Sequence, residues 1–270
     1  MSELLADTTQ RRLLDFRAFL GQTPEQERKH EDSLRTYKEH LNGFTTDERV
    51  EQLSTESLLS SAEVKSWIES SDSKLLILHG MNERSRVEDD DVSWLSPSAV
   101  GLLDHLTEMG GVVVHYLCAP SPWSRKQPLQ QVVIASLAYQ ILQKEPEVLQ
   151  DDAYTTLRHV IEGKDVEEDL DPETALDFLT RILQLPRKNE SIYILIDRLD
   201  RCEEDGMRNI KLLKELAKVV AEAKCTVKFI VVINNFYWHF ENQWGKFKDS
   251  LNHPDRVLHH QRDQEMVSVP

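Results

Sequence analysis

Apolar residues follow two patterns along the chain: short unbroken runs, and longer stretches in which they recur every three or four positions. Short runs are typical of strands buried on both faces, whereas the wider spacing is typical of amphipathic helices. The runs predict five strands, at 74–80, 112–118, 191–197, 226–233 and 256–261. Because helical stretches separate most of these runs, we expect a three-layer α/β domain with a mainly parallel five-stranded sheet.

The helical pattern divides the chain into three parts. It covers residues 4–41, with a break at Gly21 and Pro24, and recurs at 96–109, 129–142, 146–161, 171–183, 207–223 and 236–251. We therefore predict an N-terminal helical segment (1–56), an α/β domain (57–262) and a polar tail (263–270). The N-terminal helices either pack on the α/β domain or pair with a partner, and we expect packing.

The charge balance limits the classes of partner. The chain has 47 acidic and 32 basic residues, which give a formal net charge of −15. Nucleic acids and anionic membranes attract basic patches, so this balance argues against both as partners. A protein is the partner class that we expect.

Cysteine usage and hydropathy indicate an intracellular protein. Cys118, Cys202 and Cys225 are widely spaced and form no CxxC pair, which fits reduced thiols in the cytoplasm or nucleus. No apolar run approaches the roughly 18 residues of a membrane-spanning helix, and the N-terminus lacks a signal-peptide pattern. The adjacent His259 and His260 have no evident third ligand, so we predict no metal site there.

Two carboxylates follow the third predicted strand. The run 191–196 is apolar apart from its first residue, and Asp197 and Asp200 come next. Ligands of open α/β sheets bind at the carboxyl ends of the strands, where carboxylates can hold a hydrated Mg²⁺ beside a nucleotide. Four aliphatic residues before an aspartate have the form of a Walker B strand. The alternative is that Asp197 only begins a turn, because turns favour aspartate.

At the end of the first predicted strand, an octapeptide has the length and spacing of a phosphate-binding loop of the form GxxxxGK[ST]. The octapeptide 80–87 keeps the first glycine, Gly80, but has Ser85 at the second glycine, Arg86 at the lysine and Val87 at the metal-binding hydroxyl. Valine cannot bind a metal, and the acidic run 88–91 repels phosphate. The following helix begins only at Ser96-Pro97, so the phosphate cradle is predicted to be lost.

Aromatic residues in two places are candidates for a protein-binding surface. Trp123 lies in a loop with Arg125 and Lys126, and Trp238, Phe240 and Trp244 lie in the segment after the fourth strand. Exposed tryptophans are good interface anchors. The alternative is that the second group covers the last strand as part of the core, and that the loop only caps the sheet.

The chain resembles the NACHT/STAND-type P-loop NTPase domains of filamentous fungi. Residues 67–80 are similar to the lead-in to Walker A in that family, 114–118 to its second strand, 133–142 to the helix that follows, and 192–202 to its Walker B segment. The resemblance covers about residues 58–238. It implies a P-loop NTPase-like fold with a nucleotide site at Gly80, Asp197 and Asp200.

Two further positions depart from the pattern that the resemblance implies. Arg201 stands where the family has a catalytic glutamate, and arginine cannot act as a base. Asn235 stands at the sensor position, where the family has a cation. Together with the altered Walker A these departures imply a degenerate domain, which leaves two hypotheses. One is a non-catalytic interaction module without a cofactor, and the other is a regulatory protein that binds ATP or GTP with Mg²⁺ but hydrolyses it weakly or not at all.

Overall fold

The computed structural model describes residues 2–45, 54–81, 93–118, 127–161, 170–185, 191–202, 206–235 and 238–262. Its helices are α1 (Ser2–Phe19), α2 (Pro24–Thr45), α3 (Thr55–Ser60), α4 (Ala62–Glu69), α5 (Ser96–Glu108), α6 (Gln130–Lys144), α7 (Asp151–Ile161), α8 (Pro172–Gln184), α9 (Gly206–Glu222) and α10 (Trp244–Asp249). Its strands are β1 (Lys74–Gly80), β2 (Val112–Leu117), β3 (Ser191–Asp197), β4 (Thr226–Asn234) and β5 (Val257–Gln261). Short 3₁₀ turns lie at Pro146–Val148, Leu199–Arg201, Phe240–Asn242 and Pro254–Arg256.

The five strands form one sheet in the order β2-β3-β4-β1-β5, and every pair of neighbours is parallel. The predicted α/β class and parallel sheet are therefore confirmed. Gly80 on β1 pairs with Asn234 on β4, and Leu117 on β2 pairs with Asp197 on β3. The carboxyl ends of these four strands consequently meet at one edge of the sheet, where Gly80 and Asn234 are level and Asp197 lies about two residues before them.

Two hydrophobic layers enclose the sheet, because alternate residues of each strand point to opposite faces. Leu75 and Ile77 of β1 belong to a cluster with α1, α6, α7, α8 and α9, whereas Leu76 and Leu78 belong to a second cluster with α2, α3, α4 and α5. Both faces are therefore covered by helices. This explains why the strand sequences are apolar throughout rather than alternating.

The two N-terminal helices pack on the α/β domain, as expected. Phe16 of α1 is fully buried and packs against Phe178 of α8, with their ring centroids 5.2 Å apart. Tyr37 and Leu41 of α2 are buried on the opposite face of the sheet, where α2 contacts α5 and β2. The chain thus sends one N-terminal helix to each face.

Two helical predictions need correction. The stretch 236–251 is not one helix: its described part contains the 3₁₀ turn Phe240–Asn242 and the six-residue helix α10. Likewise, 146–161 divides into a 3₁₀ turn and α7. The tight packing of Phe240 against Phe247, at 5.7 Å between ring centroids, favours the compact turn over a continuous helix. Among the described helices, none is both long enough and apolar enough to cross a membrane.

Candidate functional site

Asp197 lies at the carboxyl end of β3 with no solvent exposure, and two hydroxyl groups bind its carboxylate. The Tyr37 hydroxyl of α2 donates to Oδ2 at 2.6 Å, and the Ser96 hydroxyl of α5 donates to Oδ1 at 2.8 Å. Each carboxylate oxygen therefore has a protein donor. In the structure these two hydroxyls lie where a Mg²⁺ ion or its water ligands would contact the carboxylate.

Burial governs the protonation of Asp197. Removal of the carboxylate from water raises its pKa to about 6, although the bonds from Tyr37 and Ser96 and the nearby charge of Arg198 favour the ionised form. The Tyr37 phenol is also buried, which together with the Asp197 charge raises its pKa well above the ordinary value of 10.0. The phenol consequently keeps its proton and remains a donor.

The residue after Asp197 turns the chain away from the sheet. Arg198 has φ 58° and ψ 52°, the left-handed conformation, and the 3₁₀ turn Leu199–Arg201 follows it. Its guanidinium is fully buried and binds Asp200 through Nη2 at 2.9 Å and Nε at 3.1 Å to Oδ2. Asp200 Oδ1 also accepts the backbone N–H of Asn234 at 2.8 Å. Asp200 thus links the turn after β3 to the end of β4.

The chain itself covers the end of β1. Gly80 lies so close to the backbone of Arg262 that a Cβ atom at this position would overlap the Arg262 carbonyl oxygen. The Trp94 indole nitrogen would be 3.4 Å from the same Cβ. The Arg262 N–H donates to the His79 carbonyl at 3.0 Å, which extends the pairing of β5 with β1. The remaining Walker A-like positions, Ser85, Arg86 and Val87, lie outside the described residues.

Asn235, at the predicted sensor position, contacts β1. Its backbone N–H donates to the Gly80 carbonyl at 2.7 Å, and its amide nitrogen is 3.4 Å from Nδ1 of His79. The buried Oδ1 of Asn235 has no hydrogen-bond partner within the described part of the chain. His79 is buried among aromatic rings, and burial lowers its pKa to about 4, so its imidazole is neutral. Asn235 and His79 therefore contribute neutral groups at the end of β1.

Ser96 is the site residue that sequence reasoning missed. The spacing of 80–87 assigns the metal-binding hydroxyl to residue 87, and the sequence pattern identifies Ser96 only as the start of the next helix. In the structure Ser96 is the first residue of α5, makes no capping bond and donates its hydroxyl to Asp197. A P-loop serine or threonine likewise lies in the first turn of the helix after the first strand. The Ser96-Pro97 helix start was the signal that located this position.

The candidate interface residues differ in how far they are buried. Trp238 is 5% exposed and Phe240 is fully buried, so the prediction of an exposed anchor is wrong for these two. They pack against each other at 5.2 Å between ring centroids. Trp244 is half-buried and lies on His259, with centroids 4.1 Å apart. Trp123 lies outside the described residues. Arg201, which follows Asp200 in the sequence, is half-buried.

The sequence profile of the family described as "Nephrocystin 3, N-terminal" matches residues 93–232, more than half of the 270 residues. The chain belongs to this family. The family is related to the NACHT domains, so the resemblance to a NACHT-type P-loop NTPase-like domain is confirmed. The match begins at Ser93 and therefore includes α5, β2, β3 and β4 but not Gly80. No curated protein sequence matches the chain.

Solved structures that are similar to this chain share little sequence with it. The Aeropyrum pernix ORC2 protein aligns in ADPNP–ADP complexes with a TM-score of 0.40 and in its ADP form with 0.39, both at 10% identity. Each alignment covers 80% of this chain and 50% of the ORC2 chain. Drosophila ORC bound to AT-rich DNA and Cdc6 aligns with a TM-score of 0.38 at 9% identity, over 88% of this chain and 59% of that chain. The chain thus spans about half the length of the first of these.

Side chains that commonly bind metals are not clustered elsewhere in the described residues. Within the ranges that the structure describes, no group of three or more histidine, cysteine, aspartate or glutamate side chains is arranged to hold a metal ion. Cys118 and Cys202 are buried free thiols near the carboxyl ends of β2 and β3, and Cys225 is a half-buried one. The Cys202 thiol is used locally, because it donates to the Pro128 carbonyl at 3.3 Å.

Proposed function

We propose that this chain is a non-catalytic protein-interaction or scaffold module built on a NACHT-type P-loop NTPase-like fold. The observation that carries the proposal is the environment of Asp197. Its carboxylate is fully buried, and the hydroxyls of Tyr37 and Ser96 take both of its oxygens. A Walker B aspartate acts through a hydrated metal ion, whereas each oxygen of this fully buried carboxylate already accepts a bond from a protein hydroxyl.

Three further positions support the loss of catalysis. The backbone of Arg262 lies against the end of β1, so close that a Cβ atom at Gly80 would overlap its carbonyl oxygen. Asp200 is neutralised by Arg198 in a buried ion pair. Arg201 stands where the NACHT/STAND pattern has a glutamate, and a permanently protonated guanidinium cannot activate water. Turnover needs a phosphate cradle, a metal and an activated water together.

On this proposal the domain acts by contacting another protein and needs no nucleotide. The net charge of −15 disfavours nucleic acid and anionic membranes as partners, and the unpaired spacing of the cysteines favours the cytoplasm or nucleus. We also propose that the Walker A segment is degenerate and that the domain is of the STAND type found in filamentous fungi.

One observation favours the second candidate, a nucleotide-binding regulatory protein with weak or no hydrolysis. Ser96 and Asp197 bring a hydroxyl and a carboxylate together at the start of α5, 2.8 Å apart. These are the two group types that hold Mg²⁺ in P-loop proteins. In the lysine position, however, Leu95 precedes Ser96 and is fully buried, so the cation that reaches the phosphates is absent from this turn.

Steady-state ATPase and GTPase assays with Mg²⁺ test the proposal. We expect no turnover above background for the wild-type chain, and the same background for Asp197→Asn. The asparagine variant is the matched control, because it keeps the shape of Asp197 but removes the charge that a metal needs. Mg²⁺-dependent turnover in the wild type that disappears in Asp197→Asn would overturn the non-catalytic assignment.

A further inference from the structure

Strand β5 forms one edge of the sheet, and part of its backbone points away from β1. His79 of β1 pairs with Gln261, and the His79 carbonyl accepts the N–H of Arg262 at 3.0 Å. In a parallel ladder, alternate residues of a strand direct both of their backbone groups to the same neighbour. The even-numbered residues of β5 therefore bond β1. The odd-numbered residues face outward, namely Val257, His259 and Gln261.

These outward backbone groups have no hydrogen-bond partner in the described ranges of the chain, except the Val257 N–H, which donates to the Pro254 carbonyl. β5 is also the last strand in the sheet order. The opposite edge differs, because Gln140 and Lys144 of α6 bond outward backbone groups of β2. Side chains of the protein thus close one edge of the sheet, and the β5 edge is left open.

Helices lie on the two faces of β5. Trp244 of α10 packs on His259, with ring centroids 4.1 Å apart, and Glu63 of α4 is 3.5 Å from His260 on the other face. Both histidines are half-buried, and Gln261 is exposed. An extended segment beside β5 would place its alternate side chains next to α10 and next to α4.

The charge around this edge is opposite in sign to that of the whole chain. Residues 244–262 contain four lysines and arginines, two aspartates and no glutamate, whereas the chain has a net charge of −15. Lys248 and Arg262 are exposed, and neither forms an ion pair with another described residue. Burial and the nearby charge of Lys248 lower the pKa of His259, so this lysine acts directly at β5. An acidic segment is the electrostatic complement of the edge.

A second copy of the chain is a poor complement. Two β5 edges that paired across a two-fold axis would be antiparallel and would bring the basic side chains of one copy beside those of the other. Like charges opposite each other destabilise strand pairing, and charged edges protect proteins from self-association in this way. The same charges favour a partner of opposite sign.

We propose that the outer edge of β5 is a docking site for an extended, acidic segment of a partner protein, which adds to the sheet as a sixth strand. Backbone bonds to His259 and Gln261 hold the segment, and its carboxylates pair with Lys248 and Arg262. This docking site rests on the proposed interaction function and gives it a surface and a partner chemistry. It does not involve Asp197, so its failure would leave the non-catalytic assignment standing.

Hydrogen–deuterium exchange of single amides, followed by NMR on the full chain, tests whether the edge is open. We expect the N–H groups of His259 and Gln261 to exchange at least about tenfold faster than those of His260 and Arg262, because only the second pair bonds β1. The four amides alternate along one strand, so each is the control for its neighbour. Equal protection of all four would overturn the docking site, because the edge would already be covered.

Fluorescence polarisation with a labelled peptide of about ten residues that alternates glutamate and valine tests the occupant. We expect saturable binding to the wild-type chain below about 1 mM, with slower exchange of the His259 and Gln261 amides in the complex. A peptide with lysine in place of glutamate is the charge control and should bind at least about tenfold more weakly. No saturable binding of the acidic peptide, or equal binding of both peptides, would overturn the proposal.

Two substitutions of Gln261 separate backbone pairing from side-chain contact. Gln261→Pro removes the outward N–H at an edge position, where proline is tolerated, and Gln261→Ala keeps this N–H. We expect proline to weaken binding of the acidic peptide at least about tenfold and alanine to weaken it less than about threefold. Equal losses would show that the edge backbone is not the contact.

Lys248→Glu tests the charge contact. It should weaken binding of the acidic peptide at least about tenfold, because it places a carboxylate beside β5 where the peptide requires a cation. Lys224→Glu is the matched control, because Lys224 is exposed and lies before the amino end of β4. Equal weakening by the two substitutions would mean that only the net charge matters, and it would overturn the assignment of this edge.

Discussion

Gln140 of helix α6 hydrogen-bonds both backbone groups of His115 on the edge strand β2. Its Oε1 accepts the His115 N–H at 3.2 Å, and its Nε2 donates to the His115 carbonyl at 2.9 Å. Lys144 of the same helix donates to the Val113 carbonyl at 2.6 Å. The side chains of α6 thus take the bonds that a sixth strand would make. Natural sheets protect their edges from intermolecular pairing in such ways.

Gln140→Leu should therefore increase self-association. Leucine preserves approximate size but leaves the His115 N–H and carbonyl without the Gln140 amide, so the edge of β2 becomes available for pairing with another chain. We expect dynamic light scattering to show larger species at concentrations at which the wild type is unchanged. Gln143→Leu is the control, because Gln143 lies on the same helix but is exposed. Equal scattering from the two variants would show that added hydrophobicity is the cause.

The contribution of Asp197 to the free energy of unfolding should depend on pH. Burial raises its pKa in the folded protein to about 6, above the ordinary value of 3.8. Between these two pH values the folded state binds more protons than the unfolded state, so stability falls as pH rises through this window. Above pH about 6 the folded protein carries the full free-energy cost of burying the ionised carboxylate. This cost amounts to up to about 3 kcal/mol.

Urea unfolding of the wild type and Asp197→Asn across this pH range measures the effect. We expect the free energy of unfolding of the wild type to decline relative to that of the variant between pH about 4 and 6 and then to level off. The variant cannot ionise at this position, so it cancels the contributions of all other groups. A difference that is constant with pH would mean that Asp197 titrates normally.

The strands were predictable from sequence to within about one residue, because buried parallel strands have unbroken apolar runs. The β3 bounds 191–197 agree fully, and β4 extends only to Asn234. The partners of Asp197 were not predictable in this way. Tyr37 and Ser96 come from helices 160 and 101 residues away, and no local pattern records such a contact. The aromatic segment was misread because spacing alone does not distinguish a helix from a turn packed on its own rings.

The buried ion pair of Arg198 and Asp200 should be essential for stability. Asp200→Ala leaves a fully buried guanidinium without its carboxylate, and the loss of one partner from such a pair typically costs about 3–5 kcal/mol. The exposed pair of Arg181 and Asp177 provides the comparison, and Asp177→Ala should cost about 0–1 kcal/mol. Urea unfolding checks both values. Similar effects of the two substitutions would contradict the burial of the Arg198 charge.

Gly80 should be intolerant of a side chain for a reason unrelated to phosphate binding. In Gly80→Ala the new methyl group would overlap the Arg262 carbonyl, and we expect a loss of about 1–3 kcal/mol or more from overpacking. Gly245→Ala is the control, because no neighbouring atom lies within 4 Å of the position that the new Cβ would take in α10. Alanine there should leave stability unchanged or stabilise the helix by up to about 1 kcal/mol. Thermal unfolding distinguishes the two, and an unaffected Gly80→Ala would show that Arg262 does not cover β1.

Calorimetric titration of Mg²⁺·ATP into the wild-type chain and into Tyr37→Phe tests the central claim most directly. Tyr37→Phe is included so that closure of the site by α2 does not conceal binding. We predict no saturable heat for either protein up to about 1 mM nucleotide, because the Ser96 hydroxyl holds the Asp197 carboxylate in both and Leu95 stands where a phosphate-binding lysine would precede Ser96. Saturable binding by either protein that is abolished by Asp197→Asn would contradict the claim that the nucleotide site has been lost.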